Sequence, residues 1–361
     1  MSTAACSPSC EEKLMRAVIC HGAHDLRVET FPEEQVALAP GHVRIRMAAG
    51  GICGSDLHYH HDGGFGVVRV REPMALGHEA SGFVEALGEG VGGLEAGALV
   101  AVNPSQPCGV CEPCRSGHER HCADMRFNGS AMRFPHVQGL FRERVDVPAS
   151  RALPMGPGVT AEEAALCEPF AVALHAVRQA GDIAGKRVLV TGCGPIGVLV
   201  IVAARLAGAS EIVATDIAPH SLAMARRFGA DSCIDVGQGA DALAPWQQGK
   251  GSLDAAFECS GNARAYGPAI AALRPRGVMV AVGIGGEAAL PMNAIVAKEI
   301  ALIGTFRFDV EFAEAARLIG SRLVDLKPMI SAIYPMEQAL EAFTHASDKS
   351  RATKVVIALS P

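Results

Sequence analysis

The sequence predicts an α/β chain of two domains, a mainly β region followed by a doubly wound parallel sheet, and three observations point there. The chain has 361 residues, beyond the size at which one hydrophobic core stops growing, so two cores are expected. From about residue 15 to 148, short β-type runs such as 43–47 and 99–102 are separated by turns rich in Gly, Pro and Asp. From about residue 164, apolar strands alternate with Ala-rich helical segments, the pattern of parallel βαβ units.

In chain order, the second region offers a strand at 187–191, a helix at 197–206, a strand at 211–216 and a helix at 221–228. Strands at 254–259, 278–283 and 301–305 follow, with a helix at 263–273, and the sheet has room for six strands. After Phe308 come an acidic amphipathic helix at 310–320, a short segment near 331–334, a helix at 336–343 and a last strand at 354–359. Residues 1–14 lack the basic flank and apolar core of a secretory signal, so they read as a disordered extension.

Composition narrows the function classes. Charged residues make up 19% and the net charge is -6, which leaves no broad basic surface for nucleic acid. The most apolar run, 188–204, is broken by Gly192, Gly194, Pro195 and Gly197, so no membrane span is expected. Twelve cysteines in so long a chain do not suggest a disulfide scaffold. A cytoplasmic protein with a small-molecule partner is the expectation, and Cys20, Cys167, Cys233 and Cys259 read by default as small hydrophobes.

Cys108, Cys111, Cys114 and Cys122 follow the spacing Cys-x2-Cys-x2-Cys-x7-Cys. Four thiolates spaced this way close a tetrahedral shell around zinc with no open position, so the role is structural. A ferredoxin-type cluster would want another closing spacing, commonly with Pro after the last Cys, and Ala123 stands there. His118 and His121 read as solvated.

The segment V-L-V-T-G-C-G-P-I-G-V-L-V sets Gly192, Gly194, Pro195, Ile196 and Gly197 between a strand and a helix. Glycines here allow a sharp turn, bring backbone N–H groups up to a pyrophosphate and let the helix pack closely, which is the Rossmann dinucleotide signature. The next strand ends in Asp216, placed to accept the ribose hydroxyls of NAD and to repel the 2'-phosphate of NADP. The competing reading is that Asp216 only caps the following turn. Cys259, Val282, Gly283 and Thr305 end later strands on the same side and are expected beside the cofactor.

Three segments carry ligand-type residues that nothing structural requires: G-I-C-G-S-D-L-H-Y, L-G-H-E and C-E-P-F-A-V-A-L-H-A. Each is weak alone, but together, ahead of a dinucleotide fold, they suggest a metal-assisted oxidoreductase. With the cysteine lobe and the glycine turn, in this order, the chain from Met15 resembles the zinc-containing medium-chain dehydrogenases, in particular their sorbitol, threonine and idonate branch. The segments H-D-G-G-F-G-V-V-R-V-R-E-P-M and M-R-F-N-G-S-A-M-R-F-P-H-V-Q-G are similar to those of L-idonate 5-dehydrogenases.

The resemblance implies a GroES-like catalytic domain built from 15–164 and 310–361, with the zinc lobe at 103–125 and a Rossmann domain at 165–309 inserted between. It implies that Cys53, His78 and Glu79 bind a catalytic zinc, and that Glu168 meets the metal or its water. Ser55 and His58 match the family's proton relay, with a helix cap and a surface histidine as the plainer readings. Tyr59 and Arg307 match polyol-contacting positions, and Arg307 could instead hold a sugar-acid carboxylate or an interface salt bridge.

The resulting expectation is NAD-linked oxidation of a secondary alcohol, foremost L-idonate to 5-keto-D-gluconate, with sorbitol or xylitol as the alternative. A non-catalytic zinc- and NAD-binding sensor is the reading from another class. The family also implies a homo-oligomer, dimer or tetramer.

Overall fold

The computed structural model describes residues 14–32, 37–239 and 242–360. Most of the N-terminal extension expected at 1–14 lies outside them. Leu14 does not belong to an extension: it opens the first strand, Leu14–Gly22, and pairs with Pro32 across a hairpin.

The first half is β-rich as expected, and its centre is a seven-stranded sheet. Strand His42–Gly51 runs through the middle, flanked by Glu79–Leu87 on one side and Lys354–Ala358 on the other. Alternation sets its face: Val43, Ile45 and Met47 are fully buried while their neighbours are half-buried, the period-2 signature of a strand covered on one side. The register aligns Gly51 with both Glu79 and Val356. Two early segments and the end of the chain thus meet where these central strands pair.

The second half holds a six-stranded sheet in the order Ser232–Asp235, Glu211–Asp216, Arg187–Thr191, Leu253–Glu258, Leu273–Ala281, Ala301–Gly304, all parallel. The strand order reverses on either side of Arg187–Thr191, creating the crevice at which open α/β sheets bind ligands. The sixth strand, Ser232–Asp235, was not among the expected ones. It is a short edge strand with no fully buried residue, so it lacks the apolar run that marked the others.

The helix expected at 310–320 is Glu311–Gly320. Its apolar face, Phe312, Ala315, Leu318 and Ile319, joins the core shared with helix Cys167–Gln179 and the parallel sheet. The same core also takes in Ala101, Phe127 and Val159 of the first half, so the helix, which begins just after the boundary expected at 309/310, packs where both regions meet. Only beyond this helix, with Ile330–Pro335 and Lys354–Ala358, does the chain rejoin the first sheet. No helix among the described residues is long and apolar enough to cross a membrane.

Candidate active site

Helix Gly54–Asp62 begins directly after Cys53, which occupies its N-cap position. Asp56 is fully buried and accepts the Cys53 N–H at 3.1 Å and the Gly77 N–H at 3.3 Å. That pair of bonds clamps the helix start against the segment leading to His78. The His78 Nδ1 stands 3.8 Å from the same carboxylate, so Asp56 also faces the ring that it orients. Nothing in the sequence marked Asp56 beyond its place three residues after Cys53.

Glu79 follows His78 as the first residue of its strand. One ligand atom each from Cys53, His78 and Glu79 lies within 4.8 Å of the others, a set of sulfur, imidazole and carboxylate donors that suits zinc. The electrostatics agree. Burial and the neighbouring Glu79 push the Cys53 thiol up to about 12, and burial, with Glu79 and Cys53 adding to it, lifts Glu168 to about 8. Crowded, buried acids of this kind are what a dication relieves.

Glu168 sits in the first turn of helix Cys167–Gln179, 5% exposed, outside the three-donor group but within electrostatic reach of all three. Sequence reasoning missed Lys354. Its ammonium, 2% exposed, donates to both oxygens of Glu79 at 2.6 and 2.7 Å and to the Ile52 carbonyl at 3.0 Å. Burial works against its charge, yet Glu79, Cys53 and Glu168 outweigh that and raise its pKa. Glu79 is thus shared between a lysine and the donor group. The one available signal was a lysine heading an apolar strand, K-V-V-I-A.

The other expected residues divide. Ser55 lies close enough to the Cys53 thiol to lower its pKa, against the larger upward effect of burial. His58 lies on the outer face of its helix, half exposed, its Nδ1 2.9 Å from Asp62. Tyr59, expected at the substrate, is 2% exposed, its hydroxyl accepts the Ala131 N–H at 3.1 Å, and it lies within electrostatic reach of Arg307.

Arg307 adopts φ +51°, an unfavourable conformation for a residue with a side chain. Its guanidinium lies 3.8 Å from the centre of the Phe127 ring and 4.8 Å from Phe306, and Nη2 is 3.3 Å from the Met132 sulfur. The anticipated interface salt bridge is absent among the described residues, and burial lowers its pKa to about 10, so it stays cationic at neutral pH.

In the lobe, Cys111 Sγ is 3.4 Å from Cys114 Sγ and 3.8 Å from Cys122 Sγ, and the Cys108 N–H reaches the Cys122 sulfur at 3.2 Å. Sulfurs sharing a tetrahedral zinc stand about 3.8 Å apart, so the cluster fits the ion. His121 is exposed as expected but stacks on Phe306, and the Arg120 backbone N–H donates to Asp309 at 2.7 Å, docking the lobe on the parallel-sheet side.

In the glycine turn, Gly192 has φ +82° and a Cβ there would strike Ser260, while a Cβ on Gly197 would land on the Gly192 carbonyl. Gly194 has open space. Two glycines thus serve the turn itself, and the third leaves bare the cradle a pyrophosphate would fill. Asp216 accepts N–H groups from Cys193 at 2.7 Å through one oxygen and from Ile217 and Ala218 at 2.7 and 2.8 Å through the other. The capping reading is realised, and the oxygen facing Cys193 keeps a free lone pair. Cys259, Val282, Gly283 and Thr305 follow the carboxyl ends of their strands, and the Thr305 hydroxyl is buried without a partner.

The alcohol dehydrogenase GroES-like domain family matches residues 39–157 and the zinc-binding dehydrogenase family residues 195–321. The chain is 42% identical over 312 residues to L-idonate 5-dehydrogenase (NAD(P)(+)) of Escherichia coli K12, covering 86% of this chain and 90% of that protein. It is 32% identical to the sorbitol dehydrogenase of Bacillus subtilis, covering 95% and 97%. The crystal structure of L-idonate 5-dehydrogenase from E. coli matches with a TM-score of 0.89 at 38% identity, over 96% of this chain and 99% of that one.

Proposed function

The chain belongs to the zinc-binding medium-chain dehydrogenases, and from that premise we propose that it oxidises a secondary alcohol of a sugar acid, L-idonate foremost, and passes the hydride to NAD. One observation carries the choice of an acid: Arg307 is a cation lying over the Phe127 and Phe306 rings, with Glu168 in electrostatic reach but no salt bridge of its own among the described residues. Building such a residue in a strained conformation fits a bidentate clamp for a substrate carboxylate.

Cys53, His78 and Glu79 would hold the catalytic zinc and Cys108, Cys111, Cys114 and Cys122 the structural one. When bound, the catalytic zinc would supply Lewis acidity at the alcohol oxygen and a nicotinamide the hydride acceptor. The chain's own groups do the rest. Asp56 fixes the Cys53 peptide and faces His78; Lys354 balances Glu79; Glu168, raised to about 8 in the metal-free site, holds a proton there at neutral pH. In this reading Ser55 passes the alcohol proton outward and His58, half exposed, releases it to water. Asp216 favours NAD over NADP through its remaining acceptor.

The test is a comparison of L-idonate, sorbitol and xylitol as substrates with NAD and NADP. The proposal expects NAD reduction by L-idonate, and Arg307→Ala should lower kcat/KM for L-idonate by about tenfold to a hundredfold while barely changing any sorbitol rate. Steady turnover of sorbitol with none of L-idonate refutes it.

A further inference from the structure

One fully buried carboxylate takes no part in the proposed chemistry. Glu258 closes strand Leu253–Glu258, in register with Thr191 on one side and Ala281 on the other. It therefore sits at the crevice where the strand order reverses. Among the described residues it makes no salt bridge, and its partners are N–H and O–H groups. A buried charge without a counter-ion is costly unless such groups satisfy it. Cys259 and Tyr266 register that charge: burial first and Glu258 next hold both above their ordinary pKa.

The bonds go to the loop that follows. Oε1 accepts the Ser260 N–H at 2.8 Å and the Ser260 hydroxyl, and Oε2 accepts the Gly261 N–H at 3.1 Å. The Thr191 hydroxyl stands 3.5 Å from Oε1. The backbone carbonyl of Glu258 accepts the Val282 and Gly283 N–H groups at 2.8 and 2.7 Å. One residue thus fixes two of the loops at the mouth of the crevice. Both are packed backbone to backbone with their neighbours: a Cβ on Gly192 would strike Ser260, and one on Gly283 would strike Gly261. Packing this close transmits any shift of one loop to the next.

We propose that Glu258 is a positioning residue for the dinucleotide. Its carboxylate holds Ser260 and Gly261 against the glycine turn and so shapes the crevice beside the pyrophosphate cradle. The inference rests on dinucleotide binding, not on which alcohol is oxidised.

NADH binding to the zinc-replete protein, followed by nicotinamide fluorescence, tests this, with KM values measured beside it. Glu258→Gln keeps the size of the side chain but turns an NH2 group toward the Gly261 N–H. It is expected to raise the Kd for NADH and the KM for NAD about tenfold, with the alcohol KM at saturating NAD within about twofold. Ser260→Ala, at an exposed position, removes one donor and raises the Kd about threefold. Lys298→Met is the control for destabilisation. It strips the Ile270, Ala271 and Leu273 carbonyls of an ammonium at 2.8–3.1 Å in the same half of the chain and leaves the Kd unchanged. A wild-type Kd in folded Glu258→Gln overturns the inference, as does a wild-type Kd in Ser260→Ala where Glu258→Gln does not fold, or an equal loss in Lys298→Met. A wild-type protein that binds no NADH overturns the cofactor reading itself, and the inference with it.

Discussion

The cysteine lobe and the Cys53 centre present similar donors in opposite settings. The lobe's four sulfurs come from 15 consecutive residues and stand at or near the surface, so the ion would be the core that organises them. The donors around Cys53 are brought together by a helix start and by the pairing of central strands, one of which arrives near the end of the chain. There the fold makes the site, with Asp56 and Lys354 holding it. A structural metal can be read from spacing, whereas a catalytic one rests on partners that spacing cannot show.

The largest expected effect that would break this contrast comes from His78→Ala. It should lower turnover by about a thousandfold or more and cost one zinc per chain, with the lobe zinc and the melting transition largely kept. Next is Lys354→Met, which leaves Glu79 buried and unpaired and should destabilise the protein by about 3–5 kcal/mol in a denaturant titration; Lys354→Arg should recover most of that. A smaller effect on the site is expected from Cys111→Ser. It should release the lobe zinc and lower Tm, yet leave kcat per folded molecule within a few-fold, because the lobe's four donors form a group separate from that of Cys53, His78 and Glu79.

The pH dependence sharpens the comparison further. Burial raises Glu168 to about 8 in the fold from an ordinary 4.5. A raised carboxyl binds its proton more tightly when folded, so its stabilisation is full below pH 4.5 and is lost as pH rises through about 8. Metal-free protein should therefore lose stability between those values, and Glu168→Gln should flatten that slope while leaving the lobe's behaviour unchanged.

Much of this architecture was legible. The four cysteines, the glycine turn and the G-H-E and C-E-P segments are local, and local spacing survives in sequence. Five parallel strands stood out because each is an apolar run bounded by turns, while Ser232–Asp235, short and half-buried, gave no such signal. Helix Glu311–Gly320 was found, but amphipathicity says only that a face is buried, not against what, so its packing against helix Cys167–Gln179 was not legible. Lys354 is separated from Glu79 by 275 residues and met it only through strand pairing. The burial of Tyr59 was not legible, because its place on the inner face of the helix depended on the helix start at Gly54.

The central claim, that Cys53, His78 and Glu79 form a catalytic zinc centre distinct from the lobe, is tested most directly by zinc content and NAD-linked L-idonate oxidation measured together on Cys53→Ser. The account predicts one zinc per chain against two in wild type, with turnover abolished. Two zincs and an undiminished rate would contradict it.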